Sequence, residues 1–314
     1  MFKSLVLTGL TGLTGAALLG AAVSPADAAP PAPPRPAVHW QQVGEGITSG
    51  VSGMAVVRLR HGAVDALLVR DNKEPGQNRL ALLHRTGTGD DARVSVRPLS
   101  WPGTEPVDLE SVSAVPGHRG QYVALSSDGH AYWFSLAGNT VSLRGTFALP
   151  AHPTKANYEG FALTRGHDGE LVAVWADRGQ DERPGTLNAA TLDLGSGSFG
   201  RPVSREVRAP YPTKDVRHVS DLAVSSDGSL TVSAASDPGD DGPFTSALYR
   251  AGHLTTGRHG AVHLSVTSAP QVLAAFTGHK IEALACAPGS RQGLLGTDDE
   301  NAGGAVAAYG FCRS

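Results

Sequence analysis

Cysteine is almost missing from this chain: Cys286 and Cys312 are the only two among 314 residues. One bridge is therefore the most the chain can form. Both lie near the C-terminus, where a bridge would pin the chain end, whereas Cys286 alone also fits a buried thiol, so the pairing stays open. Aromatic residues are scarce at 6%, against 39 Gly and 21 Pro, a balance that suits tight turns between short strands. Long amphipathic helical stretches are missing, which leaves an all-β reading. Net charge is only −3, which excludes a nucleic-acid partner held by bulk electrostatics. There is no Gly-x-Ser-x-Gly elbow, no Walker loop and no His-Glu-x-x-His helix.

A long apolar run occurs once, from Leu5 to Val23, behind Lys3 and ahead of the small-x-small site Ala26-Asp27-Ala28. This order predicts a secretory signal peptide over residues 1–28, a secreted protein and no membrane contact after cleavage. A retained membrane anchor is the alternative. Residues 29–37, Ala-Pro-Pro-Ala-Pro-Pro-Arg-Pro-Ala, predict a polyproline linker. Residues 38–314, about 277 in number, suit one large all-β domain.

Five segments share a column pattern: Ser52-Gly53-Met54-Ala55-Val56, Glu110-Ser111-Val112-Ser113-Ala114, Glu159-Gly160-Phe161-Ala162-Leu163, Ser220-Asp221-Leu222-Ala223-Val224 and Glu282-Ala283-Leu284-Ala285-Cys286. The first column is Ser or Glu, the third is large and apolar, and the fourth is Ala or Ser. Successive starts lie 49 to 62 residues apart. Repeats of this size built on strands predict a five-bladed β-propeller. The longer units leave room for a sixth, irregular blade as the alternative. The last unit has sequence for only three strands, and Val38–Val43 has no other partner. That segment is expected to close the ring as the outer strand of the last blade, removing exposed edges. Asp128-Gly129, Asp168-Gly169 and Asp227-Gly228 are expected to be hairpin turns.

Antiparallel order puts the start of each inner strand and each second hairpin loop on one face. Glu110, Glu159 and Glu282 would then converge on the axis, with Ser52 and Ser220 between them. Close carboxylates repel unless protons or a cation neutralise them. Hard oxygen donors suit Ca²⁺, with Mg²⁺ as the alternative, and the missing His and Cys disfavour Zn²⁺. The competing reading has these carboxylates only accepting hydrogen bonds around a water-filled tunnel. Lys73, Lys155, Arg178 and Lys214 are candidates for binding a small anionic molecule at the same mouth, with ordinary solvated charge as the alternative. His218 and His279 are candidate acid–base groups without a paired nucleophile.

Ser52, Glu110, Glu159, Ser220 and Glu282 resemble, in order, the Ser, Glu, Glu, Ser, Glu that hold an axial calcium in the secreted calcium-activated nucleotidases (apyrases). Tyr158-Glu159-Gly160 is also similar to the Glu-Gly strand starts of bacterial phytase-like and SdiA-regulated propellers. The resemblance implies a five-bladed propeller with an axial Ca²⁺. Two functions are expected from these readings: metal-assisted hydrolysis of anionic phosphoesters, or non-catalytic extracellular binding around a structural metal.

Overall fold

Short apolar runs, many of them followed by glycine or an Asp-Gly pair, leave the antiparallel hairpin as the local solution. The computed structural model describes Met1 and residues 34–150, 155–287 and 289–313, and follows that solution throughout the unit Pro33–Ser314. The expected signal peptide, most of the linker and the Pro153-Thr154 pair lie outside the described residues.

The chain opens with β1 (Gln41–Gly44). Blade one is β2 (Gly53–Arg60), β3 (Ala63–Val69), β4 (Leu80–Thr86) and β5 (Arg93–Leu99). Blade two is β6 (Leu109–Ala114), β7 (Gln121–Ser126), β8 (His130–Ala137) and β9 (Thr140–Ala148). Blade three is β10 (Tyr158–Arg165), β11 (Leu171–Asp177) and β12 (Gly185–Asp193), with β13 (Ser198–Phe199) and β14 (Val203–Val207) both paired to β12. Blade four is β15 (Val216–Val224), β16 (Ser229–Ser236), β17 (Thr245–Thr256) and β18 (Val262–Thr277). Blade five is β19 (Ile281–Cys286), β20 (Gly293–Thr297) and β21 (Gly304–Tyr309), completed by β1.

The inner strands meet in the cyclic order β2, β6, β10, β15, β19 and back to β2, so the five sheets form a closed ring. One buried apolar cluster fills each of the five blade-to-blade interfaces. The molecule is a five-bladed β-propeller, and the described residues contain no sixth sheet.

Closure runs as the edge argument requires: β1 pairs antiparallel with β21, placing Gln41 opposite Val306 and Gln42 opposite Ala305. The strand starts three residues later than expected because Val38 and Trp40 are used for packing instead. The Trp40 ring lies 4.3 Å from the His279 imidazole and meets Phe276 edge-on at 6.1 Å. The linker is also engaged at its end, since the Ala275 amide donates to the Pro34 carbonyl at 2.8 Å. Cys286 and Cys312 are disulfide-bonded, tying the end of β19 to the segment after β21.

One strand and one strand extension escape sequence reading. The outer strand β5, Arg-Val-Ser-Val-Arg-Pro-Leu, mixes charge and proline because an edge strand tolerates both. The β17–β18 ribbon runs past the blade, and Leu254 and Leu264 bury themselves in the cluster between blades three and four.

The small second column reflects crowding at the axis. A Cβ on Gly53 would come within 2.6 Å of the Ser111 Cα. Asp221 is the one large member of that column, and it spans the axis: it accepts from the Leu284 amide at 2.7 Å and from the Ser111 hydroxyl at 3.3 Å.

Candidate functional site

The first column of the repeat proves to be a row of ladder irregularities. Pairing of β6 with β7 shifts between Leu109 and Ser111, of β10 with β11 between Tyr158 and Gly160, and of β19 with β20 between Ile281 and Ala283. Glu110, Glu159 and Glu282 are the residues left over at these shifts. A bulge re-aims the side chain it displaces, and these three carboxylates all line one polar cavity of about 420 Å³ at the top of the axis.

The second hairpin loops supply much of the remaining wall. Asp71, Lys73 and Glu74 come from blade one, Arg178 from blade three, Asp240 from blade four and Glu300 from blade five. Asp108, Arg217 and Lys280 enter from the inner-strand starts. Asp108 and Glu300 hold positive φ angles of 62° and 51°, a costly conformation for residues other than glycine and one that clusters at functional sites.

Arg217 organises the centre. Its Nη1 donates to Glu282 Oε1 at 2.8 Å and lies 3.7 Å from Glu159 Oε1, while Nε and Nη2 hold Asp237 at 3.0 and 2.7 Å. Arg178 reaches the same Glu159 oxygen at 3.2 Å. Lys280, with a side chain 1% exposed, sits between Glu282, at 3.2 Å, and Glu300. Lys73 pairs with Asp108 at 3.1 Å. Burial works against the charge of Arg217, yet Glu159, Glu282 and Asp237 raise its pKa, so it stays a cation.

Glu110 is different. It is 7% exposed, and its side chain makes no hydrogen bond or ion pair with any described residue. Burial, followed by the fields of Glu159, Asp108 and Asp71, pushes its pKa well above the usual carboxylate range. Among the described residues the cavity lining holds eight carboxylates (Asp71, Glu74, Asp108, Glu110, Glu159, Asp240, Glu282, Glu300) and four bases (Lys73, Arg178, Arg217, Lys280), a formal excess of four negative charges.

Five of the residues singled out in the sequence thus share the cavity: Glu110, Glu159, Glu282, Lys73 and Arg178. Ser52 and Ser220 do not line it. The Ser52 hydroxyl is turned to the Asp71 amide at 3.2 Å, and the fully buried Ser220 hydroxyl has no hydrogen-bond partner among the described residues. Lys155 and Lys214 are exposed and lie outside the cavity wall. Both candidate histidines do structural work instead. His218 is buried between the Ala209 amide and the Asp181 carbonyl, and His279 pairs with Asp299 at 2.7 Å. Among the described residues no group of three or more His, Cys, Asp and Glu stands in a metal-holding arrangement. From the sequence Arg217 reads as an entry-loop charge beside Lys214 that could help surround an anion at the mouth; its place among the axial carboxylates does not show there, because β15 starts four residues ahead of the repeat column and crosses a wide irregularity between Arg217 and Asp221.

The raised acids make stability depend on pH. Burial lifts Glu282 from 4.5 to about 7 against the pull of Lys280 and Arg217, and burial with Glu282 lifts Asp71 from 3.8 to about 6. Between the ordinary and the raised values the folded state keeps protons that the unfolded chain has released, so stability falls as pH rises. In chelator-treated protein the wild type should therefore lose stability relative to Glu282→Gln from pH 5 to 7, by roughly 1 kcal/mol per pH unit. Denaturant titrations of both proteins at these pH values check the sign.

No family model and no curated protein matches this chain. Among solved structures the chain is similar to the PQQ-bound aldose sugar dehydrogenase of Streptomyces coelicolor, at 15% identity, with 88% of this chain and 99% of that one covered and a TM-score of 0.42. It is also similar to an auxiliary nutrient-binding protein of Bacteroides thetaiotaomicron VPI-5482, at 8% identity, 83% and 69% coverage and a TM-score of 0.37. A third, a candidate 6-phosphogluconolactonase of Bacteroides uniformis ATCC 8492, has 12% identity, 71% and 57% coverage and a TM-score of 0.36. The chain spans little more than half of that last protein's length. Likenesses this distant carry no argument about activity.

Proposed function

We propose that the axial cavity is the working site of an exported propeller and that it recruits a divalent, oxygen-ligated cation to bind a small anionic molecule. The observation that carries this reading is Glu110: a carboxylate on the cavity wall of a residue only 7% exposed, beside other acids and with no side-chain partner among the described residues, favours holding a proton or taking a cation from solution. The all-oxygen donor set and the excess of four negative charges suit calcium, with magnesium as the alternative. Glu110, Glu159 and Glu282 would hold the ion, and Arg217 would withdraw toward Asp237, to which it already makes two hydrogen bonds. When bound, the cation would supply charge to polarise an ester oxygen or orient a water. Arg178 and Lys73, on the same wall, would then receive the anionic group. This is the chemistry of metal-assisted phosphoester hydrolysis. A specific observation favours the second reading, non-catalytic binding: both candidate acid–base histidines are engaged with structural partners. The disulfide supports export, because such bonds persist in oxidising compartments.

Calcium titration with thermal unfolding tests the site. A hundredfold excess over the dissociation constant should raise the melting temperature by about 5 °C or more, and chelator should reverse it. Glu110→Gln should fold and lose the response. An unmoved wild-type melting curve would leave protonation as the account of Glu110. With calcium bound, turnover of pooled nucleotides, sugar phosphates, phytate and aryl esters separates the hydrolase from the binding module.

A further inference from the structure

A second cavity, of about 520 Å³, opens between blades four and five and carries the opposite sign of charge from the axial one. It lies at the other end of the inner strands, where the first hairpins turn: Asp227 is in the β15–β16 turn and Arg291 in the β19–β20 loop. Arg250 faces it from β17, and Arg313 from the C-terminal segment. Three guanidinium groups therefore meet a single carboxylate, a formal charge of +2. Asp227 is the one opposing charge, acting on Arg250 and Arg313 through space, and no side-chain hydrogen bond or ion pair joins Arg250, Arg291 or Arg313 to any described residue. The Arg250 Nη1 atom is fully covered and has no hydrogen-bond partner among the described residues. Asp227 is already used by its own turn, accepting from the Ser229 amide at 2.9 Å.

A covered guanidinium nitrogen without a partner is costly, and a protein keeps one where a ligand completes it. The position is also constructed rather than incidental. Pairing of β17 with β18 is irregular on both sides of Arg250, between Leu248 and Tyr249 and between Arg250 and Gly252. The C-terminal segment is held on its other flank by the Cys286–Cys312 disulfide, by the Cys312 amide on the Arg291 carbonyl at 3.2 Å, and by the Arg313 amide on the Ser225 hydroxyl at 3.0 Å. Tyr309 and Phe311 give the cavity an aromatic side. We propose that this cavity is an anion-binding site, in which Arg250, Arg291 and Arg313 take the carboxylate or phosphate group of a small organic molecule whose ring rests against Tyr309 and Phe311. Guanidinium groups match both oxyanions bidentately, so the chemistry is shared. Burial and the neighbouring Arg313 disfavour charge on Arg250, with Asp227 pulling the other way, and a bound anion would add to that pull.

Isothermal titration of the full mature protein with inorganic phosphate, glucuronate and glucose 6-phosphate, at fixed ionic strength in chloride and with chelator present, tests the site. Chelator removes the axial cation, so the two sites report separately. The expected result is saturable binding of at least one probe, with glucose silent. Affinity should fall tenfold or more in Arg250→Gln, and by a similar factor in the exposed Arg313→Gln, which tests the site even if the first variant does not fold. Which probe binds distinguishes carboxylate from phosphate. Equal affinity in wild type and Arg313→Gln, or no probe binding above the chloride background, would overturn the proposal.

Discussion

Replacing Arg217 by methionine should cost about 3 to 5 kcal/mol at neutral pH, a large share of a domain's total stability. The substitution keeps much of the volume and removes the charge shared by three carboxylates. Glu159 and Glu282, with side chains 2% and 3% exposed, would be left with Arg178 and Lys280 as their remaining counter-charges, and Asp237 would lose both its hydrogen bonds to Arg217. The cost should shrink as pH falls, because protonated carboxyls no longer need the guanidinium. Denaturant unfolding at pH 7 and pH 5 measures both effects. A loss under 1 kcal/mol at pH 7 would mean that solvent already screens the network. Calcium should restore part of the loss, since an ion between Glu159 and Glu282 would stand in for the missing cation. Failure of that rescue, with the destabilisation present, would count against those two residues as cation ligands.

Deleting the chain through Gly44 should be as damaging. It removes β1, exposes the edge of β21 and strips Trp40 from Phe276 and His279. Loss of a packed tryptophan alone is worth about 3 kcal/mol, and the broken ring adds to it, so the melting temperature should drop by about 10 °C or more. The open edge should also promote association, visible in light scattering. A truncation ending at Pro33 keeps the Pro34 carbonyl and everything after it, and should melt within about 2 °C of a chain that starts at Ala29. Equal tolerance of both truncations would show that β1 contributes nothing to closure.

Most of the architecture was legible because a propeller repeats its burial pattern. The five inner strands declare themselves through a large apolar third column, since each blade must bury that residue between its neighbours. The strand deficit of blade five announced closure from the N-terminus. The outer strand β5 and the β17–β18 extension were not legible, because an edge strand carries charge and proline freely and the ribbon packs on a neighbouring blade rather than its own. The pairing of Cys286 with Cys312 needed coordinates, as two cysteines set only the possibility of a bridge.

For the axial site the division is sharper. The residue types at the strand starts pointed by themselves to Glu110, Glu159 and Glu282 sharing the axis, because the repeat puts them at one register; Ser52 and Ser220, at the same register, turn elsewhere. Tertiary structure alone decided what faces them. The irregular start of β15 delivers Arg217, and the turn into β19 delivers Lys280. Loop geometry also leaves Lys155 and Lys214 in solvent while Asp71 and Asp108 come in. Periodicity reports a side chain's side of a strand, whereas the sign of the net charge in a cavity is the sum of loops that meet only when the ring closes.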